Sequence, residues 1–142
     1  MKKILTLLAI ATLAITFVSC EKEKNEEEVV VQEDNTIYEI TQIDVAPDFP
    51  GGIPAFQKYL SDNIRYPAIA REAGIQGVVY VSFVIEKDGS ISNVEIIRGI
   101  GGGCDEEVVR VVQGMPKWTP AKRQGKIVRV RVSTSVRFTL AG

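Results

Sequence analysis

The C-terminal part of the chain alternates between apolar and polar residues over an unusually long stretch. From Val128 to Leu140 a valine, threonine, phenylalanine or leucine occupies every second position, and three arginines lie among the residues between them. This period of two is typical of a β-strand with one buried face and one solvated face. A strand over this whole stretch would be roughly 40 Å long, at about 3.3 Å per residue. The usual strand has only about five or six residues. A small domain can hardly cover so long a strand on both sides, so we expect it to be an edge strand.

A β-hairpin is predicted between residues 77 and 96. Residues 77–85 form an apolar run with a clear alternation, and Val94 and Ile96 continue the apolar face on the returning strand. Between them Asp88-Gly89 supplies residues that tolerate the positive φ of a tight turn. A further short strand is predicted near Thr36, before the turn residues of "APDFPGG".

Helical spacing of apolar residues predicts three helices. They cover residues 54–64, 67–73 and 105–112, and we expect Asp105 to be the N-cap of the third. The stretch 117–126, which holds Trp118 and Pro120, is predicted to be a loop, with Trp118 as a core anchor. The order of elements predicts an α+β domain: a small antiparallel three-stranded sheet with helices packed on one face.

The N-terminus has the features of an export signal. Lys2 and Lys3 precede an uncharged run from Ile4 to Val18, which is short for a membrane span and fits a signal-peptide core. Ser19-Cys20 at its end resembles a bacterial lipoprotein signal, with an uncleaved anchor as the alternative. We therefore expect a lipoprotein signal peptide at 1–19, a lipidated Cys20 with an acidic tether at 20–44, and the folded domain at 45–142.

Charge is distributed unevenly around a net of −1. Residues 20–44 sum to −7, residues 45–142 sum to +4, and the eight charged residues from Arg110 onward are all basic. Two interpretations of this basic stretch stay open: a docking face for acidic groups, or a solvated face that discourages edge-to-edge aggregation. Export makes a nucleic acid partner a poor candidate.

The residues that usually carry catalysis are scarce. The chain has no histidine, which removes the commonest metal ligand and the usual base for a serine or cysteine nucleophile. If Cys20 is acylated, Cys104 has no partner for a disulfide, and we expect it to be a packing residue. "GIGGGC" lacks the Lys-Ser/Thr of a phosphate-binding loop. We therefore predict neither an enzyme nor a cofactor or metal site.

Several short motifs together resemble the C-terminal domain of TonB-like energy transducers, and the resemblance runs from Asp48 to Leu140. The motifs are Tyr66-Pro67, Ala70-Arg71, Gly74, Gly77, Asp88-Gly89, and Met115-Pro116-Lys117-Trp118 with Pro120. The resemblance implies a periplasmic domain that binds a short extended peptide, the TonB box, of outer-membrane TonB-dependent transporters. The peptide adds as a strand to the sheet edge formed by the last strand, in β-augmentation.

The resemblance also implies which residues contact the peptide. They are Asn63 and Arg65, just before Tyr66-Pro67, and the last strand with Val130, Arg131, Val132, Ser133, Thr134, Ser135, Val136, Arg137 and Phe138. Ser135 departs from this branch of the family, which usually has Pro there.

The expected location is the cell envelope, with a lipid anchor and the domain in the periplasm or at the cell surface. Family members usually engage a proton-driven inner-membrane motor through a transmembrane helix, and this chain has a lipoprotein-like signal instead. Motor coupling therefore stays open. The alternative function is a lipid-anchored scaffold that forms a homodimer or binds another envelope protein.

Overall fold

The structure is a computed structural model that describes residues 33–141. The predicted signal peptide, Cys20 and the tether up to residue 32 lie outside the described residues. Within this range, the residues from Asp34 onward form one compact unit. Within residues 33–141, no helix has the length and apolarity needed to cross a membrane.

The sheet contains the three predicted long strands and two short ones. The strands are β1 (Ile37–Glu39), β2 (Gly77–Ile85), β3 (Ile91–Arg98), β4 (Ala121–Arg123) and β5 (Lys126–Phe138). Their order is β1-β5-β2-β3, and β4 pairs with the start of β5. β5, β2 and β3 are antiparallel neighbours, as predicted. β1 adds in parallel to β5, with Tyr38 opposite Val130, so the chain joins the sheet close to Thr36.

Three helices accompany the sheet: α1 (Gly52–Asn63), α2 (Ala68–Glu72) and α3 (Cys104–Gln113), with a 3-10 turn at Ile40–Gln42. Together they confirm the predicted α+β class. The predicted cap of α3 is wrong, because its N-cap residue is Gly103. The Asp105 carboxylate instead accepts hydrogen bonds from the backbone N–H groups of Ile100 and Gly101, at 2.9 and 3.4 Å. Asp105 thus stabilises the glycine-rich loop before the helix.

The core lies on one face of the sheet, where the apolar positions of β2 and β5 meet the helices. Its fully buried members include Val79, Val81, Phe83, Ile85 and Val130 from the strands and Val108 and Val112 from α3. An aromatic cluster joins the core to α1, and its rings are Phe49, Phe56, Tyr59, Phe83 and Trp118. Trp118 is only 8% exposed, which confirms that it anchors the core.

β4 was not predicted, because its three residues lie in a polar stretch that the sequence assigns to a loop. The turn after β4 explains why a strand forms there. Gln124 and Gly125 have φ of 52° and 75°, the pattern of a type I′ hairpin turn, whose twist matches that of paired strands. The hairpin fixes the start of β5, with Arg123 opposite Lys126.

Candidate functional site

β5 has one edge that is fully paired and another that is only partly paired. Its first edge pairs with β2 from Val130 to Phe138. On the opposite edge β1 covers only Arg129 to Arg131, and none of the residues in 33–141 pairs with the stretch from Val132 to Phe138. We call this stretch the free edge. Of the nine predicted contact residues on β5, Val130 and Arg131 therefore lie opposite β1, and the other seven lie on the free edge.

The turn between β2 and β3 determines which backbone groups point to the free edge. The Glu86 N–H donates to the Ser90 carbonyl at 2.8 Å, so the backbone N–H and C=O groups of Glu86 face β3. Backbone groups alternate between the two sides of a strand, so Ile85 and the other odd-numbered residues of β2 face β5. Their partners on β5, such as Val132 and Thr134, exchange hydrogen bonds with β2. The intervening residues Ser133, Ser135 and Arg137 consequently direct their N–H and C=O groups to the free edge.

A groove follows the free edge and is walled by α1. It consists of two adjoining cavities of about 450 and 340 Å³ that share Gln57, Leu60 and Ser135. We call it the edge groove. Its lining comes from the loop before α1 (Ala46, Pro47), from the 3-10 turn (Ile40), from α1 (Ile53, Phe56, Gln57, Leu60, Ser61) and its C-cap residue (Ile64), from Trp118, and from β5 (Val132, Thr134, Ser135, Val136, Arg137).

The wall of the edge groove is held in place by contacts with the core. The Phe56 ring packs 5.3 Å from the Trp118 ring, and the Tyr59 hydroxyl donates to the Val111 carbonyl of α3 at 2.9 Å. Leu60 and Ile64, one turn apart, are half-buried and complete the apolar side of the groove. A strand placed on the free edge would therefore direct alternate side chains toward a preformed apolar wall.

Asn63 and Arg65 flank the edge groove without lining it. The Asn63 amide donates to the Tyr59 carbonyl at 2.8 Å, and the Asn63 carbonyl accepts a bond from the Arg110 guanidinium at 2.9 Å. The Arg65 N–H donates to Glu107 at 2.9 Å, and hydrogen bonds from Arg110 and from this N–H lower the pKa of Glu107. Both residues are exposed, and Ile64 between them lines the groove.

The sequence did not identify the helix side of the groove. The predicted helix contains all four residues of this side, Gln57, Leu60, Ser61 and Ile64. The sequence indicated only that Leu60 and Ile64 lie on the apolar face of that helix. The apolar spacing that would bury Leu60 in a core is the same spacing that leaves it half-buried beside an open strand. Their role as a wall depends on the placement of α1 next to β5.

The arginines of β5 are on the outer face of the sheet, opposite the helices, and two of them have acidic partners. Arg129 bonds Glu86 at 2.6 Å and, as the main cause, lowers the pKa of that carboxyl. Arg131 lies 3.7 Å from Glu39 and 3.9 Å from Glu95. Arg137 has no carboxylate within 4 Å among residues 33–141. Of the three arginines of β5, Arg129 and Arg131 thus have a carboxylate nearby within the described residues, whereas Arg137 at the free edge does not.

The described cysteine, Cys104, does not line the edge groove. Cys104 is fully buried at the start of α3, and burial, together with Asp105 and Glu106, raises the pKa of its thiol. This agrees with the prediction of a packing residue. Within the described part of the chain, no three histidine, cysteine, aspartate or glutamate side chains are grouped so that they could hold a metal ion.

Comparisons with known proteins agree with the resemblance seen in the sequence. The family model described as "Gram-negative bacterial TonB protein C-terminal" matches residues 62–140. Protein TonB of Pseudomonas aeruginosa is 32% identical over 98 residues, which are 63% of this chain and 28% of that protein. Protein TonB of Helicobacter pylori is 40% identical over 42 residues, or 30% of this chain and 15% of that protein. The chain thus spans less than a third of the length of these relatives.

Solved structures of TonB C-terminal domains are also similar to this one. The solution structure from Pseudomonas aeruginosa has a TM-score of 0.47 at 23% identity, and it covers 73% of this chain and 94% of that one. A solution structure from Helicobacter pylori has a TM-score of 0.46 at 24% identity, with 66% and 88% covered. The family model matches residues 62–140, more than half of this chain. The chain therefore belongs to the family of TonB C-terminal domains.

Proposed function

We propose that the chain is a TonB-like binding module of the cell envelope whose edge groove takes an extended peptide of an outer-membrane TonB-dependent transporter. The peptide pairs with the free edge of β5 as an additional strand, and this pairing links the protein to energy-dependent transport. The observation that carries the proposal is the coincidence of an unpaired strand edge with an apolar groove beside it. Family membership supports the choice of partner.

The energetics of the free edge suit a reversible complex. Ser133, Ser135 and Arg137 offer N–H and C=O groups to a visiting strand, and each net hydrogen bond contributes about 0.5–1.5 kcal/mol. Backbone bonds contribute affinity without reading sequence, and alternate side chains of the peptide would enter the groove against Leu60 and Ile64. We propose binding, and not catalysis, as the activity of this site.

Backbone amide shifts test this proposal directly. The full chain, labelled with ¹⁵N and held in non-ionic detergent micelles, is titrated with synthetic peptides from the N-terminal segments of outer-membrane transporters. We expect the largest shifts at Ser133, Ser135 and Arg137, with smaller ones at the groove-lining residues Gln57, Leu60 and Ser61 of α1. Shifts confined to β3 or to the outer face, or no shifts at saturating peptide, would contradict the proposal.

A matched peptide provides the control for this titration. Proline at every second position removes the N–H groups that a strand needs on one side and keeps the composition otherwise close. Two proline versions are used, one with proline at the odd positions and one with proline at the even positions. If the peptide pairs as a strand, at least one of the two versions should produce no amide shifts in β5. Equal binding of both proline versions and the parent peptide would indicate capture by the groove alone, without strand addition.

The membrane attachment belongs to the same proposal. We propose that Cys20 carries lipid and that the acidic tether after it leads to the domain in the periplasm, with the cell surface as the alternative location. Mass spectrometry of the mature N-terminus distinguishes a lipoprotein from a protein with an uncleaved anchor. An acylated Cys20 supports the lipoprotein, whereas an intact Met1 supports an uncleaved anchor and reopens coupling to inner-membrane motor proteins.

A second candidate function is a scaffold that pairs with its own copy. The observation that favours it is again the free edge, because an unpaired edge is also a template for another copy of the same strand. Sedimentation of the full chain in density-matched micelles separates the two. A monomer at high protein concentration excludes the scaffold, whereas a dimer that transporter peptide does not dissociate would favour it.

A further inference from the structure

We infer that Arg137 makes the edge groove selective for a strand with one acidic residue on its outer face and apolar residues on its inner face. The inference rests on the proposed strand addition and specifies the chemistry of the peptide. It assigns a role in specificity to one side chain, and it predicts the pattern of the ligand: a carboxylate beside Arg137, flanked by alternating residues that contact α1.

The first observation is the unequal treatment of the three arginines of β5. Arg129 and Arg131 lie on the same outer face as Arg137, two residues apart from each other, and each has a carboxylate within 4 Å. Arg137 is exposed, and no described carboxylate lies within that distance. A guanidinium prefers a carboxylate partner with parallel hydrogen bonds, so Arg137 is available to a partner in a way that the other two are not.

The second observation is the position of Arg137 relative to a visiting strand. Arg137 pairs with Val78 of β2 on one side, and its N–H and C=O groups face the free edge on the other. In a paired strand the residue directly opposite has its Cβ about 4.5–5.5 Å away on the same face. A glutamate or aspartate at that position can therefore reach the guanidinium without displacing any described contact.

The remaining outer positions on the free edge cannot discriminate by charge. Ser133 and Ser135 are the other residues of this face between Val132 and Phe138, and both are small and neutral. On the inner face the visiting strand would meet Val132, Thr134 and Val136 from β5 and Leu60 from α1, which favour apolar side chains. A single acidic position within an apolar alternation is thus the pattern that fits.

The test uses fluorescein-labelled, end-capped peptides of ten residues in which valine alternates with threonine. One threonine is replaced by glutamate at each position in turn, and a glutamine series serves as the matched neutral set. Binding to the full chain in non-ionic micelles is followed by fluorescence anisotropy. We expect one glutamate position to bind about two- to fivefold more tightly than its glutamine counterpart at low salt, and the preference to shrink as salt rises.

Three variants connect the preference to one side chain, and two of them, Arg137→Gln and Arg98→Gln, have the same charge change. Arg137→Gln should abolish the glutamate preference while the glutamine peptides bind as before, and Arg137→Glu should reverse it toward a lysine peptide. Arg98→Gln removes a charge from β3 at the opposite edge of the sheet and should leave the preference intact. Circular dichroism and the unchanged glutamine series show that the variants are folded.

The outcomes separate this inference from the proposed function. If the glutamine peptides bind and shift the amides of Ser133 and Ser135, but glutamate gives no advantage or keeps it in Arg137→Gln, the role of Arg137 is refuted and strand addition stands. An equal loss in Arg98→Gln would reduce the effect to net charge and also refute it. If no peptide binds in either series, both the proposed function and the inference fail.

Discussion

Ser135 lies directly opposite Tyr80 in the ladder between β5 and β2, yet its N–H and C=O groups point away from β2 toward the free edge. The Glu86 N–H to Ser90 bond fixes this alternation two strands away. The side chain of Ser135 is exposed and also lines both cavities of the edge groove. The residues on either side of Ser135 therefore make the hydrogen bonds to β2, and the backbone groups of Ser135 itself are available to the proposed site.

Replacing Ser135 with proline should weaken peptide binding with little effect on stability. Proline removes the N–H, but at this position that donor serves the free edge and not the ladder with β2, and proline is tolerated where the missing donor faces outward. Loss of one hydrogen bond of about 0.5–1.5 kcal/mol corresponds to a two- to tenfold weaker affinity. Peptide titration and thermal unfolding of the same variant give the two readouts.

Ser135→Ala is the matched control, because it removes the hydroxyl and keeps the N–H. It should bind peptide within a factor of two of the original chain. If Ser135→Pro left binding unchanged, the visiting strand would have to lie elsewhere. If it lowered the unfolding temperature by more than about 10 °C, the amide would belong to the ladder with β2, and our assignment of backbone directions would be wrong.

The sequence predicted the parts of this site that are local and missed those that depend on the placement of separate elements. The period of β5 and the motif Asp88-Gly89 are short-range signals, and they led to the correct strands. The parallel pairing of Tyr38 with Val130 joins residues more than ninety positions apart, and nothing in three residues of β1 indicates a partner. For that reason the free edge begins at Val132 and not at Val130.

The same reasoning explains the fate of the charged residues. Arg129, Arg131 and Arg137 are equivalent in the sequence, since all three lie on the polar side of one strand. Their difference arises from Glu86, Glu39 and Glu95, which three other segments bring to the same face. Only the tertiary structure distinguishes a compensated arginine from one that is open to a partner.

The ion pair between Glu86 and Arg129 should make stability depend on pH in the acid range. Arg129 holds the pKa of Glu86 below its usual value. A carboxyl with a depressed pKa in the folded state contributes stability above the pKa of the unfolded chain, and that contribution is lost as pH falls through the folded value. Glu86→Gln should cost about 1 kcal/mol at pH 7 and almost nothing at pH 2, as measured by urea unfolding.

Asp62→Asn is the control for this experiment. Asp62 bonds Lys58 at 2.7 Å on the exposed side of α1, where more than half of each side chain is in water. Such pairs contribute little, so this variant should change stability by less than about 0.5 kcal/mol at either pH. Equal effects of the two variants would show that the position of Arg129 on the sheet gives its pair with Glu86 no advantage over a surface pair.

Cys104 should be inert toward thiol reagents in the folded chain. It is fully buried at the start of α3, and burial raises the pKa of its thiol, so little thiolate is present at pH 8. In a Cys20→Ser background, reaction with a chromogenic disulfide reagent should be at least a hundredfold slower in native buffer than in 6 M guanidinium chloride. Fast labelling of the native chain would mean that α3 opens or that Cys104 is a reactive site.

The turn between β2 and β3 should depend on the absence of a side chain at Gly89. A Cβ there would lie 2.0 Å from the Trp118 carbonyl oxygen, and φ is +86°. The Trp118 N–H also donates to the Gly89 carbonyl at 2.9 Å, so the turn cannot move away without losing this bond. Gly89→Ala should therefore lower the free energy of unfolding by several kcal/mol, because the clash adds to the strain of positive φ.

Gly125→Ala isolates the strain from the clash. Gly125 has a φ of +75°, similar to that of Gly89, but nothing lies within 4 Å of a Cβ built there. Its replacement should cost only about 1–2 kcal/mol, the cost of the backbone conformation alone. Chemical unfolding of both variants measures the difference. If the two costs were equal, the loop that carries Trp118 would have to adapt freely, and Trp118 would not fix the wall of the edge groove in place.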